Sequence, residues 1–97
     1  MSRVPKKVKI SSHALRRIFE REIAEEWVLK ALAEGEVIAD YPEDRPYPSQ
    51  LLLHFSGNTP LHVVVAIDEE NQYSYIITTY IPDSQLWESD FRTRRAI

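Results

Sequence analysis

The segment 61–82 constrains the fold of this chain most, because it holds two long runs of β-branched and aromatic residues. The first run covers 61–67 and the second covers 73–81, and five polar residues separate them. Such residues fit the pleated surface of a sheet, so the pattern predicts an antiparallel β-hairpin. Neither run alternates cleanly between polar and apolar residues, which indicates that both faces of the hairpin are partly covered.

A turn centred on Glu70 predicts which side chains face each other across this hairpin. His62 then lies opposite Thr78, and Tyr80 follows Thr78 on the same face of its strand. One face of the hairpin is therefore expected to be aliphatic and aromatic, while the other carries polar side chains at one end. A slip of one residue would change every pair, and the sequence does not determine the register.

Two amphipathic helices are predicted before the strands. Ser11 is a suitable N-cap residue for a helix over 13–21, because its hydroxyl can accept a free backbone N–H of the first turn. Apolar residues recur at helical spacing over 24–34, which predicts a second helix there. We expect Gly35 to end this helix, because glycine accepts a positive φ without strain.

Four β-like runs follow the helices, and a proline-rich loop lies between the first two. The predicted strands cover 36–41, 50–56, 61–68 and 73–81. This order predicts an α+β fold in which two N-terminal helices pack on a four-stranded antiparallel sheet, with a C-terminal tail. The residues expected in the hydrophobic core are Trp27, Leu32, Val63, Val65 and Ile77.

Length and composition exclude several classes of protein. The 97 residues are enough for a single domain, with a basic N-terminal arm at 1–10 and a tail at 84–97. The chain has no cysteine, which excludes disulfides and thiol nucleophiles and fits a cytoplasmic protein. No apolar run approaches the roughly 20 residues of a membrane helix, so we expect no membrane contact. With two glycines, the chain has no glycine-rich phosphate loop.

Several short motifs together resemble a bacterial family, domain-of-unknown-function family 4258, over about residues 11–95. The residues that carry the resemblance are Ser12-His13-Ala14, Arg17, Arg21, Leu32, Gly35, Pro60-Leu61-His62-Val63-Val64, and Thr78-Thr79-Tyr80-Ile81-Pro82-Asp83 with Trp87 and Arg94. That family is distantly similar to RelE-like and barnase–colicin-type ribonuclease toxins. The resemblance therefore implies a metal-independent endoribonuclease that cleaves RNA by 2′-hydroxyl attack on phosphate, with an antitoxin protein as its partner.

A ribonuclease of this type needs a base for the 2′-hydroxyl, an acid for the leaving 5′-oxygen and a cation for the phosphate. His13 and His62 are candidates for proton transfer, because histidine titrates near neutral pH. Arg94 is a candidate phosphate ligand, and Thr78 and Tyr80 could position the phosphate or donate protons. Further cationic residues are candidate RNA contacts: Arg17, Arg21, Arg92, Arg95, Lys6 and Lys7.

Other interpretations of the same residues remain open at this point. His62 could be a partly buried strand histidine that bonds to Thr78, and the basic ends could be solvated tails. A turn centred on Asn58 places His54 opposite His62, which suggests a zinc site. A third ligand would have to be His13, Asp40 or Glu36 from elsewhere in the chain, and no metal motif is present, so we expect no metal and no cofactor. The alternative function is a non-catalytic module that binds a protein through its sheet or forms a homodimer.

Overall fold

The computed structural model describes residues 7–96, which form two helices and five strands. In chain order the elements are β1 (Lys7–Ile10), α1 (Ser12–Glu20), α2 (Glu25–Glu34), β2 (Glu36–Tyr41), β3 (Ser49–Ser56), β4 (Thr59–Asp68) and β5 (Tyr73–Tyr80). The predicted α+β class is therefore confirmed, and each predicted helix and strand is present with its ends shifted by at most two residues. None of the described helices is long and apolar enough to cross a membrane.

The sheet has five strands in the order β1-β5-β4-β3-β2. Strands β2 to β5 pair in antiparallel fashion, whereas β1 pairs with β5 in parallel. The prediction of a purely antiparallel sheet with four strands is therefore wrong. The additional strand is short and carries Lys7 and Lys9, which are typical of a protected sheet edge. Its partner lies at the far end of the chain, so no local pattern indicates the pairing.

A β-bulge at Ile77 shifts the register of the central hairpin. Val65 pairs with Ile76, but the next residue, Val64, pairs with Thr78, so Ile77 has no partner of its own in β4. A bulge inserts one residue and changes every later pair by one position. Ile77 remains 40% exposed, so its predicted place in the core is wrong.

The shifted register changes the neighbours of the central histidine. His62 lies opposite Tyr80, and the predicted pair with Thr78 is wrong, because the turn is centred between Glu70 and Asn71 and the bulge adds one further position. On the other side of β4, His54 pairs with Leu61, so the predicted His54–His62 pair is also wrong. The hairpin therefore joins a histidine and a tyrosine in one cross-strand pair.

The hydrophobic core lies between the two helices and one face of the sheet. Helix α1 contacts β5, and α2 contacts β3 and β4. The predicted core residues Leu32, Val63 and Val65 are almost completely buried there, and Trp27 packs against this cluster with partial exposure. The other buried members are Ala14, Ile18, Ile23, Val28, Ala31, Leu52, Leu61 and Ile76.

Gly35 ends α2 for a different reason from the predicted one. Its φ is −68° and its ψ is 161°, so it is extended and does not use the positive φ that we expected. A Cβ atom at this position would overlap the carbonyl oxygen of Ala31 and lie 3.1 Å from that of Leu53. Glycine is therefore required because the chain folds back closely over the last turn of α2, and β3 leaves little room on the other side.

The other face of the sheet, which we call the open face, points away from the helices. Side chains alternate along a strand, so His62, Val64 and Ala66 of β4 share this face because Val63 and Val65 are in the core. The segment 82–96 turns back over one end of this face. Trp87 is 7% exposed, and its backbone forms an antiparallel bridge with that of Arg94.

Candidate functional site

His62 is completely buried on the open face, and both of its ring nitrogens have a partner. Nε2 lies 2.7 Å from the carbonyl oxygen of Phe91, and Nδ1 lies 3.3 Å from the hydroxyl oxygen of Tyr80. A carbonyl oxygen can only accept, so Nε2 carries a proton and donates it to Phe91. In the neutral ring Nδ1 is then the acceptor, and the Tyr80 hydroxyl donates to it.

The surroundings of His62 favour its neutral form. Burial lowers the pKa of His62 below its ordinary value of 6.5, while the Phe91 carbonyl acts in the opposite direction. The imidazole packs edge-on against Trp87, with 4.6 Å between the ring centroids, and against Tyr80, with 5.3 Å. The hydroxyl of Thr79 donates to the carbonyl of His62 at 2.8 Å. His62 is thus a fixed, neutral base at pH 7.

The carbonyl of Phe91 reaches His62 because the backbone of Phe91 is in the left-handed region, with φ at +57°. This conformation costs a residue with a side chain about 1–2 kcal/mol, and such strained positions cluster at functional sites. A turn holds it in place, since the N–H of Phe91 donates to the carbonyl of Glu88 at 2.9 Å. The Phe91 ring packs edge-on against Phe55, with 6.3 Å between centroids.

The carboxylate of Asp90 stabilises the same turn through hydrogen bonds. Its carboxylate accepts from the N–H groups of Arg92 and Thr93 at 3.0 and 3.1 Å, and from the Thr93 hydroxyl at 3.0 Å. The bond from the Arg92 N–H is the main reason that the pKa of Asp90 is lowered. The turn that positions the Phe91 carbonyl therefore depends on an ionised carboxylate.

Tyr80 is half-buried beside His62 and keeps its proton at neutral pH. Burial raises the pKa of Tyr80 above its ordinary value of 10.0, and Tyr41 raises it further. Arg94 and Arg21 act in the opposite direction, so both cations lie close enough to stabilise negative charge on the Tyr80 oxygen. The hydroxyl thus has a base on one side and two cations nearby.

Each of these arginines is held by a different part of the chain. Arg94 lies above the Trp87 ring, with 5.4 Å from its guanidinium carbon to the ring centroid. Arg21 donates through one nitrogen to the carbonyl of Thr79 at 2.7 Å. This carbonyl belongs to the part of β5 beyond its pairing with β1, so Arg21 protects an open sheet edge. A guanidinium has five N–H donors, so other donors of Arg21 remain for a ligand.

The arrangement suits acid–base chemistry on an anionic substrate. Tyr80 can donate its proton, or accept one while it passes its own to His62. Two guanidinium groups near the same oxygen can bind a phosphate and balance charge that develops during a reaction. In residues 7–96 no three His, Asp or Glu side chains are grouped as ligands for a metal ion.

The structure does not bring the remaining catalytic candidates into contact with His62. His13 is exposed in the first turn of α1, and no hydrogen bond or ring contact among residues 7–96 joins it to His62. The N-terminal end of α1 instead lies over Ile77, whose carbonyl accepts from Ser11 at 3.2 Å. Thr78 is half-buried opposite Val64, two residues before Tyr80.

Three of the six candidate RNA contacts form ion pairs near the surface. Arg17 pairs with Glu20 at 2.8 Å, and Arg92 pairs with Glu36 at 2.5 Å. Arg95 pairs with Glu88 and also donates to a backbone carbonyl of the same segment. Lys7 lies on the edge strand β1, and Lys6 is outside the described residues.

Sequence reasoning missed the role of two groups in this site. The Phe91 carbonyl gives no sequence signal, because its position depends on the backbone conformation of a turn. Trp87 was named only among the residues of the family resemblance and given no role in the site, although it packs on His62 and lies under the guanidinium of Arg94. Trp87 and Arg94 appear together among the residues of the family resemblance, and this was the sequence signal for their contact.

Fold and site define a small α+β protein with a buried tyrosine–histidine pair at one end of its sheet. The family model described as Domain of unknown function (DUF4258) matches residues 10–81, about three quarters of the chain, and the protein belongs to this family. The match contains Arg21, His62 and Tyr80, and it ends before Trp87 and Arg94. Neither the curated proteins nor the solved structures contain a match to the chain.

Proposed function

We propose that this protein is a metal-independent endoribonuclease, similar in chemistry to the RelE-like toxins, that cleaves RNA by 2′-hydroxyl attack on the adjacent phosphate. The observation that supports this best is the Tyr80 hydroxyl, which lies 3.3 Å from Nδ1 of His62 and under the influence of Arg94 and Arg21. These residues provide the base for the 2′-hydroxyl and the cations for the phosphate that such a reaction needs, and water acts as the acid.

The first half of the reaction is removal of the 2′-hydroxyl proton. While Tyr80 donates its proton to Nδ1 of His62, a lone pair of its oxygen is free to accept the 2′-hydroxyl proton. The 2′-oxygen attacks phosphorus as this proton moves to Tyr80 and the proton of Tyr80 moves to His62. The imidazolium that forms keeps its bond from Nε2 to the Phe91 carbonyl.

The second half is departure of the 5′-oxygen. The bond between phosphorus and the 5′-oxygen breaks on the side away from the 2′-oxygen, and water supplies a proton to the leaving oxygen. Arg94 and Arg21 bind the non-bridging phosphate oxygens while negative charge increases on them, and a guanidinium matches this geometry with two parallel hydrogen bonds. The products are a 2′,3′-cyclic phosphate and a 5′-hydroxyl, and His62 returns its proton to solvent.

The experiment that tests this function is incubation of dialysed protein with RNA in EDTA. The proposal expects cleavage with 2′,3′-cyclic phosphate and 5′-hydroxyl ends, because no step uses a metal ion. The ends are identified by their resistance to ligation and by mass spectrometry. Intact RNA, or products with 3′-hydroxyl ends, would contradict the proposal.

A second candidate function is a non-catalytic protein-interaction module, and an exposed apolar ridge on α1 favours it. Phe19 is 85% exposed and Leu15 is 49% exposed, and their spacing of four residues puts them side by side on the helix. An antitoxin protein or a second copy of this chain could cover the ridge. Self-association that is lost in Phe19→Ser, measured by analytical ultracentrifugation in a preparation that leaves RNA intact, would support this alternative.

A further inference from the structure

Three tyrosine rings form a stack on the open face that the proposed mechanism does not use. The rings of Tyr47 and Tyr75 are nearly parallel, with 5.5 Å between centroids and 8° between planes. The ring of Tyr75 also stacks on that of Tyr73, with 5.6 Å between centroids and 22° between planes. Tyr73 and Tyr75 are two residues apart on β5, so their side chains lie on one face of the sheet.

Two lysines of β1 border this stack. Lys7 lies opposite Tyr73 and Lys9 lies opposite Tyr75 in the parallel pairing of β1 with β5. Their Nζ atoms lie 5.0 and 4.9 Å from the centroid of the Tyr73 ring, within the range of cation–π contacts. The aromatic surface therefore carries two positive charges, although the net charge of the chain is −3. Such a surface suits a ligand that has both an aromatic ring and a negative charge.

A cavity of about 450 Å³ opens beside the stack. Its walls include Tyr75 and Ala66 from the sheet, Lys9 from the edge strand, and Pro46 and Tyr47 from the loop before β3. A cavity of this size and apolar character is typical of a site for a flat ring.

The ring of Tyr47 is held in position without a ligand. It stacks on the ring of Tyr75, and the negative charge of the nearby Asp68 carboxylate raises the pKa of Tyr47. Asp68 is 4% exposed and also accepts from the backbone N–H and the side-chain amide of Asn71, at 3.1 and 2.9 Å. A ligand that enters the cavity therefore meets a ring that is already ordered, which lowers the entropic cost of binding.

The cavity and the tyrosine–histidine pair lie on the same face and along the same two strands. Tyr75 pairs with Ala66, and Tyr80 pairs with His62 four residues further along β4. At the usual rise of a strand, these two pairs are about 13 Å apart. A single extended nucleic-acid strand could therefore occupy both places at once.

We propose that this cavity binds an unstacked base of a single-stranded RNA, in contact with Tyr47 and Tyr75, while Lys7 and Lys9 contact its phosphates. The position of the cleaved phosphate at Tyr80 rests on the proposed function, but binding of the base does not. Bases inside a duplex are stacked and cannot enter the cavity, so the site selects single strands. Stacking is tolerant of sequence because every base has a π face, so the preference is for strandedness.

The test measures binding separately from cleavage. The probe is a fluorescein-labelled RNA 12-mer with 2′-O-methyl groups, which lacks the attacking hydroxyl and cannot be cleaved, and binding is followed by anisotropy. Tyr75→Leu and Tyr47→Leu should each weaken binding about tenfold, the effect expected for the loss of one stacked base. Tyr75→Phe keeps the ring and should bind as wild type does. Lys9→Ala should reduce the slope of log affinity against log salt by roughly 0.7, the value for one phosphate contact in a single strand.

The results distinguish a failure of the base-binding site from a failure of the proposed ribonuclease function. Binding of the blocked RNA does not depend on cleavage, so a failure of wild type to cleave normal RNA would contradict only the proposed function. Circular dichroism establishes that each variant is folded, and Tyr47→Leu provides a second test outside the sheet if Tyr75→Leu unfolds. Wild-type affinity in a folded Tyr47→Leu variant, or equal affinity for a duplex of the same sequence, would overturn the base site. Binding of an apolar peptide in place of RNA would also overturn it.

Discussion

The hydroxyl oxygen of Tyr80 lies 3.3 Å from Nδ1 of His62, in residues that face each other across β4 and β5. The pair depends on the bulge at Ile77, because without it His62 would face the residue before Tyr80. The second nitrogen of His62 is occupied by the Phe91 carbonyl, which leaves Nδ1 for Tyr80. A backbone irregularity thus creates the contact on which the proposed chemistry depends.

The buried histidine predicts the pH dependence of cleavage. Its pKa is lowered below 6.5, mainly by burial, and only the neutral form accepts the Tyr80 proton. We expect the acid limb of the rate profile to lie below pH 6.5, measured as cleavage under single-turnover conditions. An acid limb above pH 6.5 would contradict the assignment of His62 as the proton acceptor.

The lowered pKa of His62 also predicts how the stability of the fold depends on pH. Because the pKa of His62 is lower in the folded chain, the unfolded chain binds more protons between the two pKa values, and stability rises with pH there. The contribution is complete above the unfolded value of about 6.5 and is lost as pH falls through the folded value. Urea denaturation between pH 7 and pH 5 measures this loss, and His62→Gln should remove it. An unchanged pH dependence in His62→Gln would assign the loss to other groups.

Arg94 is expected to act on the phosphate and not on the fold. Arg94→Ala should lower the cleavage rate by about two orders of magnitude, since it removes one charge that stabilises the transition state. The matched control is Arg92→Ala, two residues away, where the arginine pairs with Glu36. The control should change stability by no more than about 1 kcal/mol and leave cleavage almost unchanged. Equal losses of activity in both variants would indicate a general effect of charge in the tail.

A pair of alanine substitutions tests the assignment of the sheet faces. Val65 is 1% exposed within the core, so Val65→Ala should destabilise the protein by roughly 1–3 kcal/mol through lost burial and a cavity. Ile77 is 40% exposed at the bulge, so Ile77→Ala should have a clearly smaller effect. Chemical denaturation gives both values. A larger loss for Ile77→Ala would mean that the faces are assigned incorrectly.

The parts of the fold that sequence predicts well are those with long, regular patterns. The apolar spacing in α2 and the β-branched runs of β4 and β5 identify these elements within two residues. Strand β1 has only four residues, so the sequence allowed Val8 and Ile10 either a short strand or contacts under α1, and its pairing with β5 joins segments that are far apart in the chain. The bulge at Ile77 gives no pattern, because an extra residue changes pairing without changing composition.

The residues of the candidate site were also predicted only in part. His62, Tyr80 and Arg94 were selected by residue type and motif, and the structure brings them to one end of the open face. Thr78 was predicted as the partner of His62 for two reasons: the turn was centred on Glu70, whereas the structure centres it between Glu70 and Asn71, and the bulge beyond it was not foreseen. His13 was selected by the same chemical argument, but α1 places it on an exposed turn. Residue type thus gives candidates, whereas the backbone decides which of them meet.

Removal of the Tyr80 hydroxyl tests the central claim most directly. The measurement is the single-turnover rate of RNA cleavage in EDTA by Tyr80→Phe, beside Tyr73→Phe, which removes a hydroxyl from the other end of the same strand. We expect Tyr80→Phe to remain folded and to cleave about 100-fold more slowly than wild type, the usual effect of losing one proton-transfer group. Tyr73→Phe should cleave at the wild-type rate. Cleavage by a folded Tyr80→Phe variant at the wild-type rate would contradict the account.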